Sequence, residues 1–299
     1  MSVLRLKKST IVRTRTQALR LGFRTAEVAA PSLGARVATR LWFTIPPTPR
    51  VAALPTGGSS FEVVAQGSVV RGGSYGAGPV VYLMHGWGGV GAQLGSFIEP
   101  LRSNGFRVVV FDAPAHGSSD PGPSGPGRSH GLEFSRALAA VADRFGPAHA
   151  VIAHSMGAVP ALLAQVHEGL VAERLVFLSP MRDLATYFDR FAGQLGIGRR
   201  VRAQMTVYTE RLVDYPVAGV DVRVLAGRVE PVPLLIVHDR RDRETSYDDS
   251  VELAQTWAGP ARLISTDGLG HRRILSDQQV VDEVVRFVSA DVLEDARSA

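Results

Sequence analysis

Residues 150–158 read Ala-Val-Ile-Ala-His-Ser-Met-Gly-Ala, an apolar run that ends in a serine and leads into a helix-forming stretch at 159–166. The serine, Ser155, has a small residue two positions away on each side, Ala153 and Gly157. A sharp turn from a strand into a helix needs this pattern, because the two backbones approach so closely that larger side chains would collide. The stretch therefore predicts a strained strand–turn–helix that lifts the Ser155 hydroxyl clear of a sheet.

The composition is that of a globular chain, with 45% hydrophobic and 20% charged residues among 299. A chain of this length can bury a large core. No apolar run reaches the roughly 18 residues that a membrane span requires. Cysteine is absent, which excludes disulfides and thiolate metal sites. We expect a cytoplasmic protein.

The net charge of +5 is unevenly distributed along the chain. Residues 1–50 hold ten basic residues and one acidic residue, whereas the other 249 residues hold 23 basic and 27 acidic residues. The basic segment has neither interleaved aromatic residues nor a helix-turn-helix pattern, so we do not expect nucleic-acid binding.

The N-terminal segment has two parts. Residues 1–16 are basic and lack the apolar stretch of a secretory signal, and we expect a frayed tail. Residues 17–43 have a helical pattern that Pro31 interrupts. One stripe of it is apolar: Leu33, Val37 and Leu41. We expect this stripe to pack on the protein; the alternative is a weak contact of residues 1–44 with an anionic membrane surface.

After a proline-rich linker, apolar runs alternate with amphipathic stretches. The predicted strands are 61–66, 68–72, 80–84, 107–111, 148–153, 174–178, 234–237 and 262–265. The predicted helices are 93–102, 132–145, 159–166, 247–257 and 278–288. Continuous apolar strands that alternate with helices predict an α/β fold, a mostly parallel twisted sheet of about eight strands with helices on both faces.

One long segment, residues 181–229, breaks this alternation with a mixture of aromatic and arginine residues. We interpret it as a helical insertion. The predicted organisation is a basic helical extension and linker (1–59), an α/β domain that carries the insertion (60–290) and a polar tail (291–299).

A serine hydroxyl becomes a good nucleophile only beside a base that a carboxylate orients. In open parallel sheets such groups collect at the carboxyl ends of the strands. The strand at 234–237 runs into Asp239 and Asp242; we choose Asp242 as the acid and keep Asp239 as the alternate, because backbone capping is a common role of aspartate. The predicted base is His271, in a glycine-rich loop after the last strand.

Negative charge that develops on a substrate oxygen needs backbone N–H donors. Met156, directly after the serine at a helix N-terminus, offers one. The loop after the strand at 80–84 reads His85-Gly86-Trp87-Gly88-Gly89, and its glycines let the backbone approach a substrate closely. We predict that the N–H of Trp87 is the second donor.

The chain resembles the α/β-hydrolase fold family over roughly residues 60–290. The segments that carry the resemblance are the 85–89 loop, Asp112-Ala-Pro-Ala-His-Gly-Ser118, the 153–157 turn, Asp242 and Gly270-His271. In the family the second segment is a structural loop, usually with glycine where Ala115 stands. The resemblance therefore implies structural roles for Asp112 and His116, and structural or pocket-lining roles for His85 and His154.

The resemblance also implies an esterase-like mechanism in which Ser155 attacks an acyl carbon, His271 is the base and water releases the acyl group. It implies no metal and no organic cofactor, and it makes residues 181–229 a lid over the site. The aromatic residues of the lid favour a small to medium apolar substrate. The residues assigned to substrate contact are Gly86, His154, Phe188 and Phe191.

Several hypotheses stay open because this fold hosts many chemistries. The first is a soluble carboxylesterase. The others are a membrane-surface lipase or acyltransferase, a thioester or C–C bond hydrolase with the same triad, and a non-catalytic scaffold. A nucleophilic serine argues against the dehalogenase and epoxide-hydrolase branches, which use aspartate. All three triad positions are filled, which disfavours the scaffold.

Overall fold

The computed structural model describes residues 2–48 and 53–290, with side chains from residue 16 onward. The expected polar tail at 291–299 lies outside the described residues. The strands are β1 (Ser59–Ala65), β2 (Ser68–Tyr75), β3 (Val80–Met84), β4 (Arg107–Phe111), β5 (Ala148–His154), β6 (Leu175–Leu178), β7 (Leu234–Asp239) and β8 (Ala261–Thr266).

The α-helices are numbered in chain order. They are α1 (Ser2–Ala29), α2 (Pro31–Trp42), α3 (Ile98–Ser103), α4 (Gly131–Phe145), α5 (Ala158–His167), α6 (Leu184–Leu195), α7 (Arg199–Val213), α8 (Val222–Ala226), α9 (Tyr247–Thr256), α10 (Gly270–Arg273) and α11 (Gln278–Val288). Short 3₁₀ turns cover Gly91–Phe97, Ser155–Gly157 and Val217–Gly219. The helix predicted at 93–102 is therefore a 3₁₀ turn followed by α3.

The eight strands form one sheet in the order β1-β2-β4-β3-β5-β6-β7-β8. Only β2 runs antiparallel to its neighbours, β1 and β4, and every other pairing is parallel. The predicted α/β fold is confirmed. Because the parallel strands point the same way, the residues that follow β3, β5, β6, β7 and β8 collect along one edge.

The sheet is covered on both faces, and its strands β3 to β7, which are mostly apolar, are buried at every position except Arg107. Alternate residues such as Leu83 and Ile152 point to one face, where the core includes Leu101 of α3 and Val284 of α11. Their neighbours point to the other face, where the hydroxyl of Tyr82 donates to the carbonyl of Gly146, the residue after α4.

The described residues form two compact units, one of residues 2–44 with Asp183–Val220 and one of residues 45–48 and 53–182 with residues 221–290. We call them the helical unit and the sheet unit. In the helical unit, a core that includes Phe23, Phe188 and Met205 joins α1, α6 and α7. Glu27 accepts hydrogen bonds from the backbone N–H groups of Arg200 (2.8 Å) and Val201 (3.0 Å), so its carboxylate caps the start of α7.

Two expectations for the N-terminal segment are wrong. Residues 2–16 belong to α1 and form no frayed tail. The packed face of α2 is made of small residues, Gly34, Ala35, Ala38 and Thr39. A Cβ on Gly34 would lie 2.8 Å from Cβ of Ala26, so small side chains allow the helices to approach closely. Leu33 and Val37 point to solvent instead, and of the predicted stripe only Leu41 packs against the core.

The segment Asp183–Val220 leaves and rejoins the sheet unit at adjacent points. The N–H of Leu184 donates to the carbonyl of Val220, and the N–H of Val222 donates to the carbonyl of Arg182. The observed boundaries are narrower than the predicted insertion at 181–229, since α8 belongs to the sheet unit. That the inserted residues act as a lid stays a prediction.

Candidate active site

Ser155 stands at the turn between β5 and α5, as the sequence predicts. Its φ is +55°, in the left-handed region that costs a residue with a side chain about 1–2 kcal/mol. Gly157 explains the need for a small residue, because a Cβ there would lie 2.8 Å from the carbonyl oxygen of His85 and 2.9 Å from that of Met84. Ala153 is wholly buried. Close packing of the turn against β3 therefore holds the strained serine in place.

Asp242 and His271 meet at the ends of β7 and β8. Oδ2 of Asp242 lies 2.8 Å from Nδ1 of His271, and the aspartate side chain is wholly buried. Oδ1 accepts from the backbone N–H groups of Glu244 (2.7 Å) and Thr245 (3.1 Å). Burial acts to raise the pKa of Asp242, but hydrogen bonds from His238 and His271 outweigh it and hold the pKa well below its usual range. The aspartate is therefore a fixed negative charge beside His271.

Asp239, the alternate acid, faces the loop that precedes His271. Its carboxylate accepts from the N–H of Leu269 (2.8 Å), the N–H of Gly268 (3.2 Å) and the hydroxyl of Thr266 (2.8 Å). Burial acts to raise its pKa, but hydrogen bonds from the Thr266 hydroxyl and from the backbone N–H groups of Arg241 and Leu269 outweigh burial and lower the pKa. Asp239 thus fixes the backbone that carries His271, while Asp242 contacts the imidazole.

His154 supports His271 from the other side. Nε2 of His154 lies 3.0 Å from the carbonyl oxygen of His271, and since a carbonyl only accepts, Nε2 carries the proton. Burial, together with the neighbouring His271, lowers the pKa of His154 to about 3, so the ring is neutral. His154 is 5% exposed, and its predicted contact with substrate stays a prediction.

Among the described residues, no hydrogen bond joins the Ser155 hydroxyl to His271, although hydrogen bonds of this kind often form only when substrate is bound. Nε2 of His271 lies 3.9 Å from the Glu244 carboxylate. The carbonyl of Ser155 accepts from the N–H of Met181, the third residue after β6. That bond fixes the serine backbone against the next strand.

The 85–89 loop lies directly against the serine. A Cβ on Gly86 would be 2.9 Å from Cβ of Ser155 and 3.1 Å from the carbonyl of His154, so only glycine fits there. This places Trp87, the predicted second donor, one residue from the contact. Met156, the other predicted donor, lies in the 3₁₀ turn Ser155–Gly157. Their part in binding an oxyanion stays a prediction.

Two buried histidines tie this loop to the Asp112–Ser118 loop. Nε2 of His85 accepts from the N–H of Ala113 (3.0 Å), and Nε2 of His116 accepts from the N–H of Gly88 (3.1 Å). Nδ1 of each ring faces a carbonyl, that of Gly86 or Pro114, and therefore donates. Burial and the adjacent His85 lower the pKa of His116 to about 3. Both contacts are those of structural residues.

Asp112 and Ala115 shape the same loop. The Asp112 carboxylate accepts from the N–H groups of Gly91 (2.8 Å) and Ser118 (2.8 Å). Ala115, where the family usually has glycine, has φ of +62°. The family preference thus has a steric cause, which this chain tolerates at the cost of strain.

The two phenylalanines assigned to substrate lie in the helical unit. Phe188 is wholly buried. Its ring packs edge to face against Trp42, with the two ring centroids 4.6 Å apart, and the guanidinium of Arg202 lies over the Phe188 ring. The ring of Phe191 contacts the same tryptophan, with the two ring centroids 5.4 Å apart. Both therefore contribute to the core of that unit, and their contact with a substrate stays a prediction.

Sequence analysis missed two members of the site, His238 and Thr245. Nε2 of His238 lies 3.4 Å from Oδ2 of Asp242, and the Thr245 hydroxyl lies 3.0 Å from the same oxygen. The available signal was the spacing, a histidine four residues before the aspartate at the end of a strand. Within residues 2–48 and 53–290, no group of three or more histidine or carboxylate side chains is arranged to hold a metal ion.

Comparisons with known proteins identify the family of the chain. The model of the alpha/beta hydrolase family matches residues 80–284, so the chain belongs to the alpha/beta hydrolase family. The match includes the serine turn, Asp242 and His271. No curated protein matches the chain.

Many solved structures share the fold. Est1E from Butyrivibrio proteoclasticus, solved with ferulic acid, is 19% identical, with a TM-score of 0.57; the match covers 78% of this chain and 98% of Est1E. The esterase EaEST from Exiguobacterium antarcticum is 17% identical, with a TM-score of 0.59; the match covers 76% of this chain and 98% of EaEST. A membrane phospholipase A, a bacterial virulence factor, is 16% identical, with a TM-score of 0.59; the match covers 99% of this chain and 97% of the phospholipase. At these identities the likeness shows the fold alone.

Proposed function

We propose that this chain is a serine hydrolase that cleaves a carboxylic ester, or a related acyl bond, of a small to medium apolar substrate. The observation that carries the proposal is the buried Asp242–His271 pair at the sheet edge where the strained Ser155 turn lies. Neighbouring folds that are named esterases support this chemistry. A carboxylesterase is the simplest member of the class.

The proposed reaction begins when the oxygen of Ser155 attacks the acyl carbon and its proton passes to Nε2 of His271. Asp242 stabilises the charge on His271 and keeps Nδ1 as the hydrogen-bond donor. The N–H groups of Trp87 and Met156 stabilise the tetrahedral oxyanion. His271 then gives the proton to the alcohol oxygen as the ester C–O bond breaks. The alcohol departs, and the acyl group stays bonded to Ser155.

Water completes the cycle. His271 removes a proton from water, the resulting nucleophile attacks the acyl carbon, and the bond to Ser155 breaks as the serine recovers its proton. The products are the free acid and the alcohol. Thioesters and activated C–C bonds fit the same sequence of steps, and the substrate series below distinguishes esters from thioesters.

The test compares the wild type with Ser155→Ala and Ser179→Ala. Ser179 is a matched control, because it also directly follows a strand and also has a left-handed φ (+47°); it differs in being wholly buried, whereas Ser155 is half-buried. The assays are hydrolysis of p-nitrophenyl esters and thioesters of rising acyl length and labelling by a fluorophosphonate. We expect Ser155→Ala to lose labelling and at least about 10³-fold of turnover, and Ser179→Ala to keep both.

Other results would change the proposal. Labelling without turnover of any ester identifies an active serine that acts on another bond. Turnover that survives in Ser155→Ala would reject this serine as nucleophile. A folded wild type that neither labels nor turns over would favour the non-catalytic scaffold.

A second candidate, a hydrolase that works at an anionic membrane surface, is favoured by the exposed face of the N-terminal helices. Leu21 and Val28 of α1 are 68% and 79% exposed, and Leu33 and Val37 of α2 are 63% and 43% exposed. The exposed arginines on the same helices are Arg20, Arg24, Arg36 and Arg40. Apolar side chains beside arginines suit the interface of an anionic bilayer. No helix within residues 2–48 and 53–290 is long and apolar enough to cross a membrane.

Co-sedimentation of the full chain with vesicles tests this candidate. We expect binding to phosphatidylglycerol vesicles and little binding to phosphatidylcholine vesicles. Leu33→Gln and Arg36→Gln should weaken the binding, whereas Val171→Gln, at an equally exposed valine of the sheet unit, should not. Equal binding to both vesicle types, or equal loss in the control, rejects the candidate.

A further inference from the structure

His238 is a wholly buried histidine near the end of β7, a strand that is otherwise apolar up to that point. An imidazole is costly to bury unless both ring nitrogens find partners. Nδ1 lies 2.7 Å from the hydroxyl of Ser250 in α9. Nε2 lies 3.3 Å from the hydroxyl of Thr245 and 3.4 Å from Oδ2 of Asp242. Both nitrogens therefore have partners, and one of those partners is the proposed catalytic acid.

The partners decide which nitrogen carries the proton. An ionised carboxylate can only accept, so the nitrogen beside Asp242 must be the donor of a neutral ring. Nδ1 is then an acceptor, which suits the Ser250 hydroxyl because that group can donate to it. Ser250 thus selects the tautomer that directs an N–H of His238 toward Asp242 and Thr245.

Three donor groups consequently surround Oδ2 of Asp242: His271 and Thr245 hydrogen-bond to it, and Nε2 of His238 faces it at a longer distance. His271 Nδ1 is at 2.8 Å, the Thr245 hydroxyl at 3.0 Å and His238 Nε2 at 3.4 Å. The Thr245 hydroxyl lies 3.3 Å from both histidines and 3.3 Å from the carbonyl of Ser179, so it occupies the centre of the group. The lowered pKa of Asp242 agrees with this, since His238 is the strongest of the contributions that offset burial.

We propose that His238 is a positioning residue that, with its tautomer set by Ser250, holds Oδ2 of Asp242 on Nδ1 of His271. This inference rests on the proposed function, because it assigns His238 a part in orienting the acid of that triad. His238 acts only through Asp242 and does not touch the substrate. Removing its N–H leaves the buried carboxylate short of a donor and free to turn away from His271.

Two substitutions separate the two nitrogens. The amide nitrogen of glutamine can replace Nε2, whereas the shorter asparagine can replace Nδ1 only. We expect His238→Gln to keep kcat within about fivefold and His238→Asn to lose about 10- to 100-fold, the effect of one hydrogen bond to a charged group. KM should not change in either variant. The rate of fluorophosphonate labelling should fall in parallel with kcat, because it reports activation of the serine.

His149→Gln is the matched control. His149 is also buried, with Nδ1 2.7 Å from Glu173 and Nε2 2.9 Å from the carbonyl of Val288, but it lies at the start of β5, at the opposite end of the sheet. We expect this variant to lose stability and keep kcat. If it loses as much kcat as His238→Asn, the effect is one of general destabilisation and the proposal is overturned.

Ser250→Ala tests the same idea if His238→Asn does not fold. It removes the donor that sets the tautomer, so we expect kcat to fall about threefold to tenfold with KM unchanged. A folded Ser250→Ala protein with wild-type kcat overturns the proposal. So does equal kcat in His238→Asn and His238→Gln.

A readout without substrate keeps this test separate from that of the proposed function. The Nδ1 proton of His271 should give a downfield proton resonance that Asp242→Asn removes. We expect this resonance in the wild type and in His238→Gln, and a shifted or lost resonance in His238→Asn. An unchanged resonance in His238→Asn overturns the positioning role, whereas absent labelling and turnover in the wild type would overturn only the proposed function.

Discussion

The carboxylate of Asp242 lies 2.8 Å from Nδ1 of His271, while that of Asp239, three residues earlier, binds the backbone that leads to the same histidine. One aspartate therefore orients the ring and the other orients the loop. Asp242→Asn should lower turnover by about 10³-fold or more, because the asparagine amide favours the wrong tautomer of His271.

Asp239→Asn should act mainly on stability. An amide nitrogen cannot accept the hydrogen bonds of the 266–269 loop, so we expect a loss of about 1–3 kcal/mol in the free energy of unfolding and a modest loss of turnover per folded molecule. Urea unfolding, with active-site titration of both variants, gives the comparison. Equal losses of turnover, or the reverse order, would overturn the choice of Asp242 as the acid.

His116→Ala should reduce the yield of folded protein more than turnover per folded molecule. The ring accepts from the N–H of Gly88 and donates to the carbonyl of Pro114, so its removal separates two loops that meet near the serine. Soluble yield and fluorophosphonate titration measure the two effects. A well-folded but inactive His116→Ala protein would show that the ring takes part in the chemistry.

Acid should unfold the protein through its buried histidines. His116 and His154 have a pKa of about 3 in the folded state, against about 6.5 when unfolded. Between these values the unfolded chain binds more protons, so stability is present above about pH 6.5 and is lost as the pH falls toward 3, by up to about 1.4 kcal/mol per pH unit for each histidine.

Urea midpoints at pH 8, 6 and 5 would measure this loss. His116→Gln, which keeps an acceptor for Gly88 but does not titrate, should show a shallower dependence on pH than the wild type. Identical slopes would mean that other groups carry the acid sensitivity.

Ala115→Gly should stabilise the protein. The left-handed φ of +62° strains alanine by about 1–2 kcal/mol in the folded state, and glycine removes this strain. Glycine also makes the unfolded chain more flexible, which offsets about 0.4–1 kcal/mol of the gain in stability. We expect a net gain of about 0.5–1 kcal/mol. Ala142→Gly, in the interior of α4, should instead lose about 1 kcal/mol. A loss at both positions would show that Ala115 is not strained.

The sequence predicted the sheet well, because strands buried on both faces are continuous apolar runs that periodicity detects. Val80–Met84 and Arg107–Phe111 were predicted at their observed bounds, and Ser155 was found from the small residues that its turn requires. The pairing of Asp242 with His271 followed from chain order and from the common edge of parallel strands. The hydrogen bond between Asp242 and His271, however, could not be predicted from the order of the residues along the chain.

Other features depend on three-dimensional packing that has no local pattern. The buried face of α2 consists of glycine and alanine, so the larger Leu33 and Val37 suggested the wrong stripe. His238 looked like part of a polar loop, since only the fold reveals that Ser250 lies beside it. The sequence favoured Asp242 over Asp239 as the acid, but only the structure shows that Asp242 contacts the imidazole of His271 and that Asp239 contacts the backbone before it.

The paired hydrogen bonds at Arg182–Val222 and Leu184–Val220 bring together the two ends of the inserted segment. A cassette inserted at such a point can be lengthened, shortened or exchanged during evolution without a change in strand register, because the parent chain needs only a short turn to close the gap. Recombination at this junction would let descendants exchange the inserted helices while they inherit the serine turn and its aspartate–histidine pair unaltered.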